Sequence, residues 1–115
     1  MTNCELAPGV SIRFQTETTH AHFFGYYDKS PTDITGTKLL VHRTDFDGRD
    51  VTRDDTAEVG YYELRSKQFH RIGTTRAFNW QQGAMLQWLP PDYSSRIIYN
   101  DRDKDAFYSV IFDLS

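Results

Sequence analysis

Residues 25–43, GYYDKSPTDITGTKLLVHR, and residues 83–102, GAMLQWLPPDYSSRIIYNDR, are two versions of one pattern, and reading them together decides the fold. Each opens on a glycine beside an aromatic or apolar cluster. Each then passes a proline turn, Pro31 in the first and Pro90-Pro91 in the second, and runs into a basic residue followed by a strand-forming run. Lys38-Leu39-Leu40-Val41 thus matches Arg96-Ile97-Ile98-Tyr99. Proline fixes φ and removes a backbone donor, so each turn separates what precedes it from the strand that follows. After a loop that is long in the first copy and short in the second, residues 59–66, VGYYELRS, match residues 108–115, YSVIFDLS. Self-similarity at this spacing is the signature of a repeated supersecondary unit.

Outward from these two stretches, the apolar residues fall in short clusters and rarely recur at steps of three and four, which predicts strands rather than helices. Residues 37–42 form a strand bounded by Thr35-Gly36 and by Asp45-Phe46-Asp47-Gly48. Residues 58–64 and 68–72 form a hairpin around Arg65-Ser66-Lys67. Residues 84–89, 96–100 and 107–114 supply three more strands. Residues 44–56, dense in Asp and Arg with only Phe46 and Val51 apolar, read as a solvated loop. The fold class is all-β. A strand, a proline turn, a second strand, a polar loop and a third strand is the order expected of antiparallel sheets forming about two blades of a β-propeller.

The residues SPTDITGTKLLVH (30–42) followed by VGYYELRSKQFHRIGTT (59–75) make the chain resemble six-bladed propellers of the TolB-like type. Within that group it is similar to uncharacterised bacterial propeller proteins that carry HFFGYYD (here 22–28) and, one blade later, FNWQQGAMLQW (here 78–88). Oligogalacturonate lyases are more distant relatives with a similar blade grammar. The resemblance covers residues 20–115. It implies a lead-in segment over residues 1–19, a first blade over 20–75 and a second over 76–115. A closed six-bladed ring takes about 250 to 400 residues at blade periods of about 40 to 60. The expectation is therefore part of a longer propeller, with the remaining blades, or self-association, covering its sheet edges and apolar faces. In the lyases a divalent metal assists proton abstraction. The histidines and glutamine that hold it belong to later blades, so lyase activity does not carry over.

Composition narrows the classes. At 115 residues the chain forms one small unit. Cys4 has no partner cysteine, which excludes an internal disulfide. No apolar run reaches the roughly 20 residues of a membrane span. The first twenty residues lack the pattern of a secretory signal, so a cytoplasmic location is expected. A net charge of −3 argues against a nucleic-acid binder, which is ordinarily basic. The 15% aromatic content, high for so hydrophilic a chain, is the residue type expected to pack between blades.

Candidate site residues fall in two motifs. In THAHFFGYYD, His20 and His22 share a face of an extended strand and Asp28 follows, a set that could meet a divalent metal, against a plainer role as hydrogen-bonded strand ends. Tyr26 and Tyr27 flank Gly25, with Phe23 and Phe24 on its other side. They read first as packing between blades, and otherwise as the lining of a channel mouth with Asp28. In the second motif, Asn79, Trp80, Gln81 and Gln82 combine a flat ring with amide donors and acceptors, suited to a neutral polar ligand. Arg43, Asp45, Asp101 and Arg102 occupy equivalent places after the two matched strands and are expected at one end of the blades, either as a grip on an anion or as ordinary surface charge. No phosphate loop, zinc motif or nucleophile elbow is present. The expected function is binding or processing of a carbohydrate at the channel by His22, Tyr27, Asp28, Asn79, Trp80, Gln81 and Gln82. The alternative is a non-catalytic protein-interaction scaffold with the 44–56 loop as a contact.

Overall fold

The computed structural model describes residues 19–26 and 28–115. Cys4, Tyr27 and all of the lead-in segment except Thr19 lie outside the described residues. Seven strands are present: β1 (Ala21–Phe23), β2 (Lys38–Thr44), β3 (Ala57–Glu63), β4 (Gln68–Thr75), β5 (Gln87–Trp88), β6 (Arg96–Arg102) and β7 (Phe107–Asp113). They form two antiparallel sheets, ordered β1-β2-β3-β4 and β5-β6-β7, and no helix occurs among the described residues. The all-β class agrees with the sequence reading. The strand expected over 84–89 shrinks to Gln87–Trp88, because Gly83 and Met85 adopt φ of 61° and 58° and bend the chain before it can extend.

The two sheets repeat one another in register. Lys38 lies opposite Glu63 in the first, and Arg96 lies opposite Asp113 in the second. At the same place the Leu64 N–H donates to the Thr37 carbonyl at 2.9 Å and the Leu114 N–H to the Ser95 carbonyl at 2.7 Å. The equivalent of Glu63 is therefore Asp113, one residue later than matching 59–66 to 108–115 gives. Short apolar strings align equally well in either frame, and the cross-strand partners set the right one. The proline turns also match. Asp33 Oδ1 accepts the Thr37 and Lys38 N–H groups at 3.0 and 3.1 Å, and Asp92 Oδ1 accepts those of Ser94 and Ser95 at 3.0 and 3.1 Å.

Strand alternation divides the first sheet into two faces. Lys38, Leu40, His42 and Thr44 line the face toward the second sheet, as the contacts of Lys38 with Ser94 and of His42 with Ala84 show. Leu39, Val41 and Arg43 line the far face, opposite Tyr62, Gly60 and Glu58. Leu40, Ala57, Val59, Phe78, Ala84, Leu86, Trp88, Ile97 and Tyr99 form one buried cluster drawn from both sheets.

His42 is the joint between the sheets. Its side chain is fully buried. A carbonyl only accepts, so the 3.3 Å contact with the Phe23 oxygen makes Nδ1 the donor. Nε2 is left as an acceptor, and it takes the Ala84 N–H at 2.9 Å. The ring stacks on Phe23 with centroids 4.8 Å apart. Its other side lies against Gly83, where a Cβ would fall 2.2 Å from the ring. Glycine is required there twice over, for that clearance and for its positive φ. Gly25 is equally close to the second sheet's chain, with a Cβ position 2.9 Å from the Gly83 nitrogen. The two glycines that open the matched motifs are thus neighbours across the joint.

At the other end of the strands Asp33 makes a second joint. Its buried carboxylate accepts the Ser94 hydroxyl at 2.7 Å and sits 3.6 Å from Lys38 Nζ, which in turn donates to the Ser94 carbonyl. Trp88 Nε1 donates to the Pro31 carbonyl at 3.0 Å. Burial opposes ionisation of Asp33, but hydrogen bonds from Ser94, Thr35, Lys38 and Thr37 outweigh it and bring its pKa down to about 2.

Burial pushes the His42 pKa from 6.5 down to about 4, against a smaller upward pull from the Phe23 and Phe24 carbonyls. The unfolded chain therefore takes up a proton first as the pH falls. Stability drops through the window from 6.5 to 4 by about 3 kcal/mol, and Asp33 adds a loss only below its unfolded value of 3.8. Urea unfolding midpoints measured across this window check it. The wild type loses stability steadily, whereas His42→Gln, less stable throughout, loses most of that slope. A wild-type midpoint that stays flat contradicts the buried neutral imidazole.

Candidate functional site

The six described sequence candidates do not form one site. His22 pairs with Arg43 in the β1–β2 ladder and shares a 2.9 Å hydrogen bond with the Tyr62 hydroxyl. It therefore lies on the far face of the first sheet, one pleat out of phase with Phe23 and His42, and cannot join residues 79–82. Asp28 is exposed in a cleft of about 430 Å³ that it shares with Trp88 and Tyr93 at the proline-turn end of the strands. Tyr27 lies outside the described residues.

Trp80 is committed to packing. Its ring meets Phe23 and Phe46 edge-on at 5.1 and 5.3 Å, and Nε1 donates to the Arg49 carbonyl at 2.7 Å. Gln81 is exposed, and its carbonyl abuts Gly25. Asn79 and Gln82 do come together: Asn79 Oδ1 accepts the Gln82 N–H at 2.7 Å, closing a tight turn that the Asn79–Gly83 backbone bridge completes. His20 and His22 have ring centroids 6.4 Å apart. Among the described residues no group of three or more His, Cys, Asp or Glu gathers to hold a metal ion, so these residues offer no donor set for a divalent cation.

Residues 45–56 are a built loop rather than a merely solvated one. Asp55 receives a forked pair of bonds from Arg49 at 2.8 and 2.9 Å and the Thr52 N–H at 2.7 Å. The Arg49 guanidinium, with Thr52, holds the Asp55 carboxyl well below the usual range. Phe46 and Val51 pack against the core. This fold carries Arg53 to the far end of β6. There Arg102 donates through Nε to the Arg76 carbonyl at 3.1 Å and through Nη2 to the Arg53 carbonyl. Asp101 Oδ1 accepts the Arg76 and Arg102 N–H groups at 2.9 and 2.8 Å.

Three chain segments thus meet at one end of the sheets: the loop after β2, the connection from β4 to β5, and the β6–β7 hairpin. They enclose a cleft of about 590 Å³. Asn79, Gln82, Asn100 and Ser109 supply its neutral polar groups, Phe78 and Met85 its apolar ones, and Arg53, Arg76 and Arg102 its charge. Of the charged four singled out in the sequence, only Arg102 lines it. Arg43 turns to the far face, where it pairs with Glu58 at 2.9 Å and lies over the Phe69 ring. Arg53 and Arg76 were not singled out in the sequence; Arg102, which was, takes the place of Thr44 in the repeat, at the end of the strand that feeds the long loop.

Comparisons with protein-family models, with curated proteins and with solved structures found no match.

Neither the resemblance nor the ligand expectation is therefore supported from outside the chain. The arrangement itself offers donors: three guanidinium groups, side-chain amides and hydroxyls around one opening. No helix among the described residues is long and apolar enough to cross a membrane.

If Trp80 is a structural anchor, Trp80→Ala costs about 2 kcal/mol or more and frees the loop it holds. Limited trypsinolysis reads this directly: cleavage after Arg49 and Arg53 accelerates in the variant. Unchanged cleavage and an unchanged unfolding midpoint would return Trp80 to the pool of ligand contacts.

Proposed function

We propose that the two sheets are consecutive blades of a propeller-type repeat and that the chain binds a carbohydrate in the cleft at the loop end of the strands. The observation that carries the ligand reading is the convergence of three separate segments on that opening, each fixed by its own hydrogen bonds. Binding sites gather where rigid elements present loops at one end of a sheet. A sugar needs many directional donors and acceptors at close spacing, and Asn79, Gln82, Asn100 and Ser109 offer them beside the apolar edges of Phe78 and Met85. His22, Asp28, Trp80 and Gln81 take no part in this reading.

A second reading, a non-catalytic interaction scaffold, is favoured by the outward face of the second sheet. Arg96, Ile98, Asn100 and Arg102 are the equivalents of Lys38, Leu40, His42 and Thr44, which the second sheet covers in the first copy. Ile111 and Phe107 on that outward face are 60% and 78% exposed. An apolar face in this position suits a further sheet, from the same propeller or from another chain. Fold alone does not choose between the readings.

Amide chemical shifts of the whole chain, followed while neutral and acidic mono- and oligosaccharides are added, separate them. The ligand reading expects shifts concentrated at Gln82, Gly83 and Asn100. No shift with any sugar, or shifts that leave Gln82, Gly83 and Asn100 untouched, would overturn it.

A further inference from the structure

The chain carries more acidic than basic residues, 16 against 13, yet the cleft is lined by Arg53, Arg76 and Arg102 and by no Asp or Glu. The ion pairs among the described residues use Lys38, Arg43, Arg49 and Arg71, none of which lines the cleft. Arg49 and Arg53 show the contrast within one loop. Arg49 is forked onto Asp55, while Arg53 enters no ion pair among the described residues. Arg102 spends Nε and Nη2 on the Arg76 and Arg53 carbonyls, which ties together the two backbones that carry the other guanidiniums. Asp101 stands close by, but its Oδ1 holds the Arg76 and Arg102 N–H groups and its Oδ2 takes the Tyr108 hydroxyl at 3.3 Å.

We propose that this cleft selects a ligand bearing an oxyanion, a carboxylate or phosphate on a polyhydroxylated body, gripped by Arg53 and Arg76. Like charges gathered at one opening repel, and an anion relieves that repulsion when it binds. Guanidinium groups match carboxylate and phosphate through forked, charge-assisted bonds. Asn79, Gln82 and Asn100 then meet hydroxyls of the attached body. The inference rests on the carbohydrate reading of the same cleft and adds what distinguishes its ligand.

The test compares three probes that differ in one group: D-glucose, D-glucuronate and D-glucose 6-phosphate. Each is titrated against the whole chain and followed by amide shifts at Gln82, Gly83 and Asn100. At least one charged probe binds about tenfold or more tightly than glucose, and which one separates carboxylate from phosphate. Arg53→Gln with Arg76→Gln removes that preference while leaving the melting temperature within a few degrees, since neither side chain supports a described ion pair. Should the double variant lose its fold, the wild type still decides: raising salt from about 0.05 to about 0.5 M weakens the charged probe and leaves glucose unchanged. Equal binding of all three probes overturns the oxyanion and leaves the carbohydrate site standing. Absence of shifts with every probe overturns the site itself.

Discussion

A neutral imidazole wedged between two sheets is the constraint on which the rest of the structure depends. His42 donates to its own sheet through Nδ1 and accepts from the next through Nε2, so a single tautomer satisfies both sides of the joint. The ring fills the space that a Cβ on residue 83 would need, which is why the segment leading into the second sheet carries glycine there, in a left-handed conformation. Desolvation keeps the ring uncharged. A proton on Nε2 would set two donors against each other in a buried place, where an unmade hydrogen bond is expensive.

From that joint the position of the cleft follows. The bend at Gly83 and Met85 holds residues 76–82 at the loop end of β2, where Trp80 reaches the loop and caps it through the Arg49 carbonyl. The Asp33–Ser94 contact fixes the opposite end, so the two sheets are fastened at both ends of their shared core. Arg102 then ties the loop to the connection. A cluster of unpaired guanidiniums is costly to hold together in a free loop. Here backbone carbonyls take up Arg102 and Asp101 holds the Arg76 and Arg102 N–H groups, while Arg53 and Arg76 enter no ion pair among the described residues.

The strands and the repeat were legible in the sequence, because alternation and turn chemistry are local properties. Residues 37–42, the hairpin around Arg65-Ser66-Lys67, and residues 107–114 became β2, the β3–β4 turn and β7 with small changes at their ends. The frame of the second matched strand was off by one, because only cross-strand partners such as Arg96 and Asp113 fix it. The site was far less legible. His22 and His42 look alike in sequence, yet strand parity sends the first to the far face and the second into the joint. Trp80 looks like a ligand platform until its indole N–H is found on a loop carbonyl. Arg53 was hidden by its acidic neighbours, and only the folded loop shows that Asp55 pairs with Arg49 and not with Arg53.

The joint at His42 is tested most directly by hydrogen exchange at the Ala84 amide, which leads into the second sheet and donates to the His42 ring. If the imidazole fastens the sheets into one cooperative unit, this amide exchanges as slowly as the ladder amides of β2 and β3, through global unfolding alone. An Ala84 amide that exchanges rapidly while those ladders stay protected would contradict the account, because the sheets would then part without either of them unfolding.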